Sequence, residues 1–191
     1  MSKGRLEAVS DGVIAILITI MVLELKVPHE PTLEALRPLA PVFLSYVLSF
    51  TYLGIYWNNH HHLMQAARVV NGRVLWANLH LLFWLSLFPF STAWMGENAF
   101  APIPTAIYGA VFLFAALAYY VLVRTLIACP GQNDVIARAV GEDTKGKISP
   151  VIYAVAIPIA LVAPLVALVL FIAVAAIWLV PDPRVERVMG R

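Results

Sequence analysis

Side chains that could bind an ion or move a proton lie within three of the long apolar stretches of this chain. In chain order they are Arg5, Glu7, Ser10, Asp11, Asn58, Asn59, His60, His61, His62, Asn78 and His80. Polar groups at membrane depth are costly, usually face protein or water, and are commonly functional. Imidazole and carboxylate groups together are typical of a proton relay or a metal site.

The residue types alone leave two interpretations of this polar cluster open. In the structural interpretation, Asp11 accepts hydrogen bonds from Ser, Asn, His or Trp donors on neighbouring helices and fixes the rotation of the first helix, because buried polar groups must be satisfied. In the functional interpretation, Asp11, His61 and His80 form a metal or proton site. Successive helical residues point about 100° apart, so the three histidines at 60–62 cannot all face one ion.

The composition identifies an integral membrane protein. Of 191 residues, 61% are hydrophobic and 13% are charged, whereas soluble domains are about 45–50% apolar and about 25% charged. A net charge of +2 with dispersed basic residues argues against nucleic-acid binding. Cys129 is the single cysteine and excludes an intrachain disulfide. No small-residue cleavage site follows the first apolar stretch, so we expect it to stay in the mature protein.

The apolar stretches predict an all-α fold with six transmembrane helices in one domain, residues 1–191. The predicted spans are 6–25, 39–63, 75–95, 103–127, 148–162 and 164–180. As a single helix, residues 148–180 would reach about 50 Å, too long for a hydrocarbon core of about 30 Å. This last stretch is therefore predicted to form a hairpin of two short helices that turns near Ala163 and Pro164, with Pro158 as a candidate kink.

The distribution of positive charge tests this span count. With six spans and both termini inside, all but Lys26 and Arg37 of the 13 Lys and Arg residues lie on the inner side, as the positive-inside rule requires. Five spans would place the C-terminal arginines outside. We therefore predict a multi-pass protein of the inner (plasma) membrane with both termini in the cytoplasm. Its inner loops are predicted at 64–74 and 128–147, and its outer loops at 26–38 and 95–102.

One face of the first helix forms a continuous stripe when residues are placed about 100° apart. The stripe consists of Arg5, Val9, Gly12, Ile16, Thr19, Ile20 and Leu23. Asp11 lies about 140° from the part of the stripe formed by Ile16 and Ile20, so a pore lined by the stripe would exclude Asp11. Periodicity does not distinguish a pore from ordinary helix packing, because the rest of the helix is equally apolar and lipid does not sort the faces.

Four segments resemble the endosomal and lysosomal transmembrane potassium channels and their bacterial relatives. Residues 5–11, Arg-Leu-Glu-Ala-Val-Ser-Asp, resemble the Arg-x-x-x-Phe-Ser-Asp signature on the first helix of that family. The other three segments are Trp57-Asn-Asn-His-His, Trp76-Ala-Asn78-Leu-His80 and Ile177-Trp178-Leu-Val-Pro181-Asp. Val9 stands where the signature has phenylalanine, a change that weakens aromatic packing around the motif.

The resemblance implies a homotetramer of six-helix units in which the four copies of helix 1 surround a central pore for K⁺. By alignment on the signature, the pore lining and gate would fall on Ile16, Thr19, Ile20 and Leu23. Thr19 would add a ring of hydroxyls to an otherwise hydrophobic constriction. The signature residues would instead orient helix 1 within a polar network, whose predicted members are Arg5, Ser10, Asp11, Asn58, His61, Trp76, Asn78 and His80.

These features predict a prokaryotic, potassium-selective, leak-like channel whose hydrophobic gate excludes water when closed. The chain has no Thr-Val-Gly-Tyr-Gly loop, so its selectivity would not come from carbonyl rings of that kind. The alternative function is a proton-coupled or metal-ion transporter that uses the Asp and His cluster. No catalytic residue, cofactor or resident metal is predicted, because no Ser-His pair or His-Glu-x-x-His spacing is present. The expected partners are copies of the chain itself, membrane lipid and K⁺ as the permeant ion, without nucleic acid.

Overall fold

The structure is a computed structural model that describes residues 2–131 and 144–179. Within that part the fold is helical throughout, as expected for a chain whose backbone polar groups must be satisfied in lipid. The elements are α1 (Lys3–Leu23), a 3₁₀ helix (Glu34–Leu39), α2 (Ala40–Ala66), α3 (Gly72–Ser86), α4 (Phe88–Glu97), α5 (Pro102–Ile127), α6 (Thr144–Val162) and α7 (Pro164–Leu179). The predicted all-α fold is confirmed.

Six helical segments of the described chain lie where the six spans are predicted. Five are long and apolar enough to cross a bilayer. Three of these are the single helices α1, α5 and α6. The other two are combined segments, one formed by the 3₁₀ helix and α2 and one formed by α3 and α4. The sixth, α7, has 16 residues, which corresponds to about 24 Å. The part of the predicted inner loop at 132–143 and the C-terminal residues 180–191, with their arginines, lie outside the described residues.

The third span differs from the single helix predicted at 75–95, because it is divided at Leu87 into α3 and α4. Pro89 is the physical cause. It has no N–H to donate to the carbonyl of Leu85, and its ring clashes with that carbonyl. The Leu87 N–H bonds to the Trp84 carbonyl at 3.2 Å instead, and Ser91 resumes the helical pattern with a 3.0 Å bond to the Leu87 carbonyl.

The predicted hairpin of two short helices at the end of the membrane domain is confirmed. α6 ends at Val162, α7 begins at Pro164, and Ala163 alone connects them. Proline suits the first position of a helix, where an N–H would have no partner within the helix. The carbonyl of Ala163 accepts a hydrogen bond from the Val166 N–H at 3.0 Å. At its other end α6 starts at Thr144, four residues before the predicted span.

An aromatic core joins α2, α5, α6 and α7 in the middle of the bundle. The rings of Tyr52 and Phe112 lie 4.0 Å apart between centroids, and those of Phe112 and Phe171 lie 5.6 Å apart. The Tyr52 hydroxyl donates to the Phe171 carbonyl at 2.6 Å. α1 lies outside this core and packs mainly on α2, α3 and α4, which leaves one side of α1 uncovered.

Candidate functional site

α1 has a buried face and an exposed face in the single chain. Its buried residues are Leu6, Ser10, Ile14, Leu17 and Met21. Every member of the predicted stripe, from Arg5 to Leu23, is exposed. The exposed fraction is 56% at Ile16, 41% at Ile20 and 78% at Leu23. The stripe identified from helical spacing is therefore the uncovered side of the helix, whereas Ser10 points into the bundle.

Ser10 belongs to a buried chain of hydrogen bonds that joins α1, α3 and α2. The Asn78 Nδ2 donates to Ser10 Oγ at 2.9 Å, and Asn78 Oδ1 lies 2.7 Å from His60 Nε2. Ser10 Oγ in turn donates to the Leu6 carbonyl at 2.9 Å. The three side chains are at most 1% exposed, so these contacts fix α1 against its neighbours without help from water.

The direction of each hydrogen bond between Ser10, Asn78 and His60 follows from the single hydroxyl proton of Ser10. Because that proton goes to the Leu6 carbonyl, Ser10 Oγ accepts from the amide of Asn78. The amide oxygen of Asn78 then faces His60 and requires a proton on Nε2. Among the described residues, His60 Nδ1 has no hydrogen-bond partner. His60 is thus the neutral tautomer with the proton on Nε2, and it acts as a donor rather than as part of a continuous proton relay.

Asp11 is held by a second contact between α1 and α2. The indole Nε1 of Trp57 donates to Asp11 Oδ1 at 3.0 Å. Trp57 also stacks on His61, with ring centroids 5.8 Å apart and an interplanar angle of 18°. Asp11 therefore faces α2, away from the exposed stripe of α1.

A third link between α1 and α2 lies one turn closer to the N-terminus of α1. Gln65 Nε2 lies 2.8 Å from His61 Nε2, and the other ring nitrogen of His61 lies 3.4 Å from Glu7 Oε1. With the Gln65 amide donating to Nε2, the Nδ1 proton of His61 faces the carboxylate of Glu7. Three separate contacts, made by Glu7, Ser10 and Asp11 within about one turn, thus set the rotation of α1.

Several predicted network residues lie apart from these contacts. Arg5 and Asn58 are exposed, and Trp76 is 75% exposed. His80 is exposed and accepts from the Trp84 Nε1 at 3.0 Å, one turn along its own helix. The structure brings together Ser10, Asn78, Asp11 and His61 but not these four residues.

His60 and Trp57 are members of the network that the predicted residue set omits. Helical spacing indicates that His60 is buried, because it lies seven residues after Leu53 and three before Leu63, on the buried side of α2. The signal is weak, since α2 is apolar on most of its surface and has no clear polar face. Nothing in the spacing of Trp57 distinguishes it from an interfacial tryptophan.

The outer end of α1 is close to a surface ion pair. Lys26 Nζ lies 2.8 Å from Glu97 Oε1 and connects the segment after α1 to the end of α4. The hydrogen bond that Lys26 donates to this carboxylate raises the pKa of Lys26 above its ordinary value. Glu24 is exposed and caps the C-terminus of α1. Within the described residues, no group of three His, Cys, Asp or Glu side chains is placed to hold a metal ion.

These features define a multi-pass helical membrane protein whose first helix is anchored by polar contacts on one face and uncovered on the other. A family model described as "Endosomal/lysosomal potassium channel TMEM175" matches residues 5–89. A potassium channel of Chryseobacterium sp. (strain P1-3) is 51% identical over 187 residues, which cover 98% of this chain and 97% of that protein. The chain belongs to the TMEM175 family, which is a family of ion channels and not an enzyme class.

Two further proteins are similar to this chain. A potassium channel of Streptomyces collinus is 35% identical over 128 residues, which cover 63% of this chain and 62% of that protein. The crystal structure of a lysosomal potassium-selective channel TMEM175 homolog from Chamaesiphon minutus matches with a TM-score of 0.77 and 25% identity. That match covers 93% of this chain and 96% of the other. The family membership predicted from the sequence is confirmed.

Proposed function

We propose that this chain forms a potassium-selective, leak-like channel as a homotetramer, with the exposed face of α1 from each copy lining a central pore. The observation that carries the proposal is the division of α1 into two faces. Polar contacts fix one face against α2 and α3, and the entire stripe from Arg5 to Leu23 is left uncovered. K⁺ is the proposed permeant ion because two relatives of this chain are named potassium channels.

The proposed constriction is formed by Ile16, Ile20 and Leu23. These side chains are 56%, 41% and 78% exposed in the single chain. They lie along the last two turns of α1, so four copies would form apolar rings around the axis. Such rings expel water when they are close, and a small rotation or dilation of the helices readmits partly hydrated K⁺. This hydrophobic barrier is the proposed gate and selectivity element.

Thr19 contributes an oxygen rather than a free hydroxyl to the proposed pore. Its Oγ1 donates to the Ile16 carbonyl at 2.9 Å, so the proton is directed at the backbone of its own helix. The lone pairs of Oγ1 remain available to accept from water or to coordinate a cation. A ring of four such oxygens would partly replace hydration between the apolar rings.

The proposed orientation places both termini in the cytoplasm of a bacterial inner membrane. The first turn of α1 lies beside the end of α2, where Lys3 Nζ donates to the Gln65 carbonyl at 3.3 Å. The Lys26–Glu97 pair joins the two predicted outer segments at the opposite end. The excess of Lys and Arg at the end that carries Lys3 supports this orientation.

The test of this proposal is K⁺ flux through the full chain in liposomes, without a coupled ion, together with the mass of the purified oligomer. Ile16→Asn and Leu23→Ala change a pore ring, and we expect each to increase K⁺ flux several-fold because the barrier becomes wetter or wider. Ile172→Asn and Leu165→Ala are matched controls at exposed positions of α7 and should leave the flux unchanged. We expect the mass of four chains.

Two results would contradict the channel. Unchanged flux in both α1 variants would remove these residues from the pore. Transport that requires a pH gradient, saturates with substrate and disappears in a folded His80→Ala variant would instead favour the proton-coupled or metal-ion transporter.

A further inference from the structure

A cavity of about 240 Å³ lies between α2, α5, α6 and α7, on the side of α2 that faces away from α1. It is separate from the proposed pore. Tyr52 and Tyr56 form its wall on α2, Ala116 lies at one end, and Trp178 closes it from α7. The cavity is not fully enclosed by these helices.

The lining changes from apolar to cationic along the cavity. Ala116 and Arg124 both line it on α5, and eight helical residues span about 12 Å. Arg124 lies in the last turn of α5, and Lys147 lies in the first turn of α6. Both cations therefore lie toward the end of the cavity that is proposed to face the cytoplasm, whereas the other end is built from aromatic and aliphatic side chains.

Two of the polar groups that line the cavity form hydrogen bonds within the protein. The Trp178 Nε1 donates to Ser149 Oγ at 2.9 Å, and the Tyr119 hydroxyl donates to the Asn59 carbonyl at 3.2 Å. The deep part of the cavity thus presents mainly ring faces and alkyl groups. A small, fully hydrated anion would gain nothing by entering it.

The two cations lack acidic partners within the described residues. The ion pairs found there involve Lys26 and His61, and neither Arg124 nor Lys147 pairs with a carboxylate. Among the residues that the structure describes, no Asp or Glu lines the cavity. The Arg124 guanidinium lies 6.0 Å from the centroid of the Tyr120 ring, which holds it beside the cavity and leaves its donors available.

We propose that this cavity binds an anionic phospholipid, with the phosphate between Arg124 and Lys147 and one acyl chain extending toward Ala116. Its volume is below the range of about 300–1,000 Å³ for pockets that enclose a drug-sized ligand, and it suits a single chain that enters from the bilayer. Basic pockets between transmembrane helices on the cytoplasmic side are a recognised setting for acidic lipid headgroups. The remainder of the lipid stays in the bilayer.

Native mass spectrometry of the purified full chain tests the proposal, with phosphatidylglycerol and phosphatidylcholine as probes. We expect the wild type to retain phosphatidylglycerol preferentially. The double variant Arg124→Gln/Lys147→Gln should bind it about 30-fold more weakly, as expected for the loss of two cation contacts at the membrane surface. Arg73→Gln removes an exposed cation near the same membrane side but outside the cavity and should bind as the wild type does.

A second variant tests the acyl chain separately from the headgroup. Ala116→Leu fills the deep end of the cavity and should weaken phosphatidylglycerol binding while both cations remain. Equal retention of the two phospholipids, or undiminished phosphatidylglycerol binding in the double variant, would overturn the proposal. Displacement of phosphatidylglycerol by an equal concentration of oleate or of inorganic phosphate would also overturn it, since the site would then recognise a fatty acid or a free anion.

Discussion

Substitution of His60 distinguishes a hydrogen-bond donor from a proton carrier at the centre of the polar network. Glutamine places its amide nitrogen near the position of the histidine Nε2, so His60→Gln can still donate to Asn78 Oδ1. Asparagine is shorter and places its amide nitrogen near the position of Nδ1, so His60→Asn cannot reach Asn78. The two variants therefore differ in one hydrogen bond, and neither titrates at physiological pH.

The expected cost follows from the contact that His60→Asn breaks. The bond to Asn78 is 2.7 Å long between residues at most 1% exposed. Hydrogen bonds between membrane helices average about 0.6 kcal/mol and reach about 1.7 kcal/mol, and an unpaired buried polar group costs about 1–3 kcal/mol. We therefore expect His60→Asn to lose about 2 kcal/mol, or about 4–8 °C in Tm for a chain of this size. His60→Gln should remain within about 2 °C of the wild type.

The assay is thermal unfolding of the detergent-purified oligomer, followed by K⁺ flux in liposomes across a range of pH. We expect His60→Gln to conduct as the wild type does at every pH, because the network needs a donor and not a titrating ring. Equal destabilisation of the two variants would refute the assigned tautomer. A stable His60→Gln oligomer without flux would refute the structural role and favour a proton function.

Two smaller predictions concern packing and surface charge. A Cβ at Gly109 would lie 2.7 Å from Phe171 Cζ, so Gly109→Ala should cost about 1–3 kcal/mol in thermal unfolding. Gly54→Ala is the matched control, because nothing lies within 4 Å of its Cβ position; a lower Tm for both would contradict the steric cause. Lys26→Gln removes the ion pair with Glu97, whose side chains are 74% and 47% exposed, and should hardly change Tm. The pKa of Lys26 is raised in the folded protein, so the contribution of the ion pair to stability is lost only as the pH rises through that pKa. The small Tm difference between the wild type and Lys26→Gln should therefore be constant between about pH 6 and pH 9. A change within that range would contradict the assignment of this difference to the Lys26–Glu97 pair.

The sequence predicts the helical framework well because length and hydropathy decide it. Residues 148–180 exceed the reach of one span, and proline at 164 suits the first position of a second helix, so elementary geometry predicts the hairpin. The division of the third span at Leu87 was also predictable in principle, since Pro89 removes the N–H that the Leu85 carbonyl needs. Hydropathy averages over such a break and therefore reports one span.

The partners within the polar network were harder to predict than its members. Ser10, Asp11 and Asn78 are conspicuous because polar residues are rare at membrane depth. Their partners depend on how the helices rotate against one another, and apolar helices carry little rotational information in their sequence. For this reason the sequence predicts the exposed Trp76 as a network residue. It does not distinguish the buried donor His60 from His61 and His62.

The polar network matters to the proposed pore because it supplies the rotational information that the apolar surface of α1 lacks. Leu17 and Ile16 are both aliphatic, yet Leu17 is 6% exposed and Ile16 is 56% exposed. A rotation of about 100° would carry Ile16 into the environment of Leu17 at little cost in apolar contact. It would also remove Ser10 from Asn78 and leave buried polar groups unpaired, which is costly in lipid. The polar contacts of α1 thus determine which of its aliphatic residues are exposed. In the proposed channel they set the composition of the gate without touching the ion.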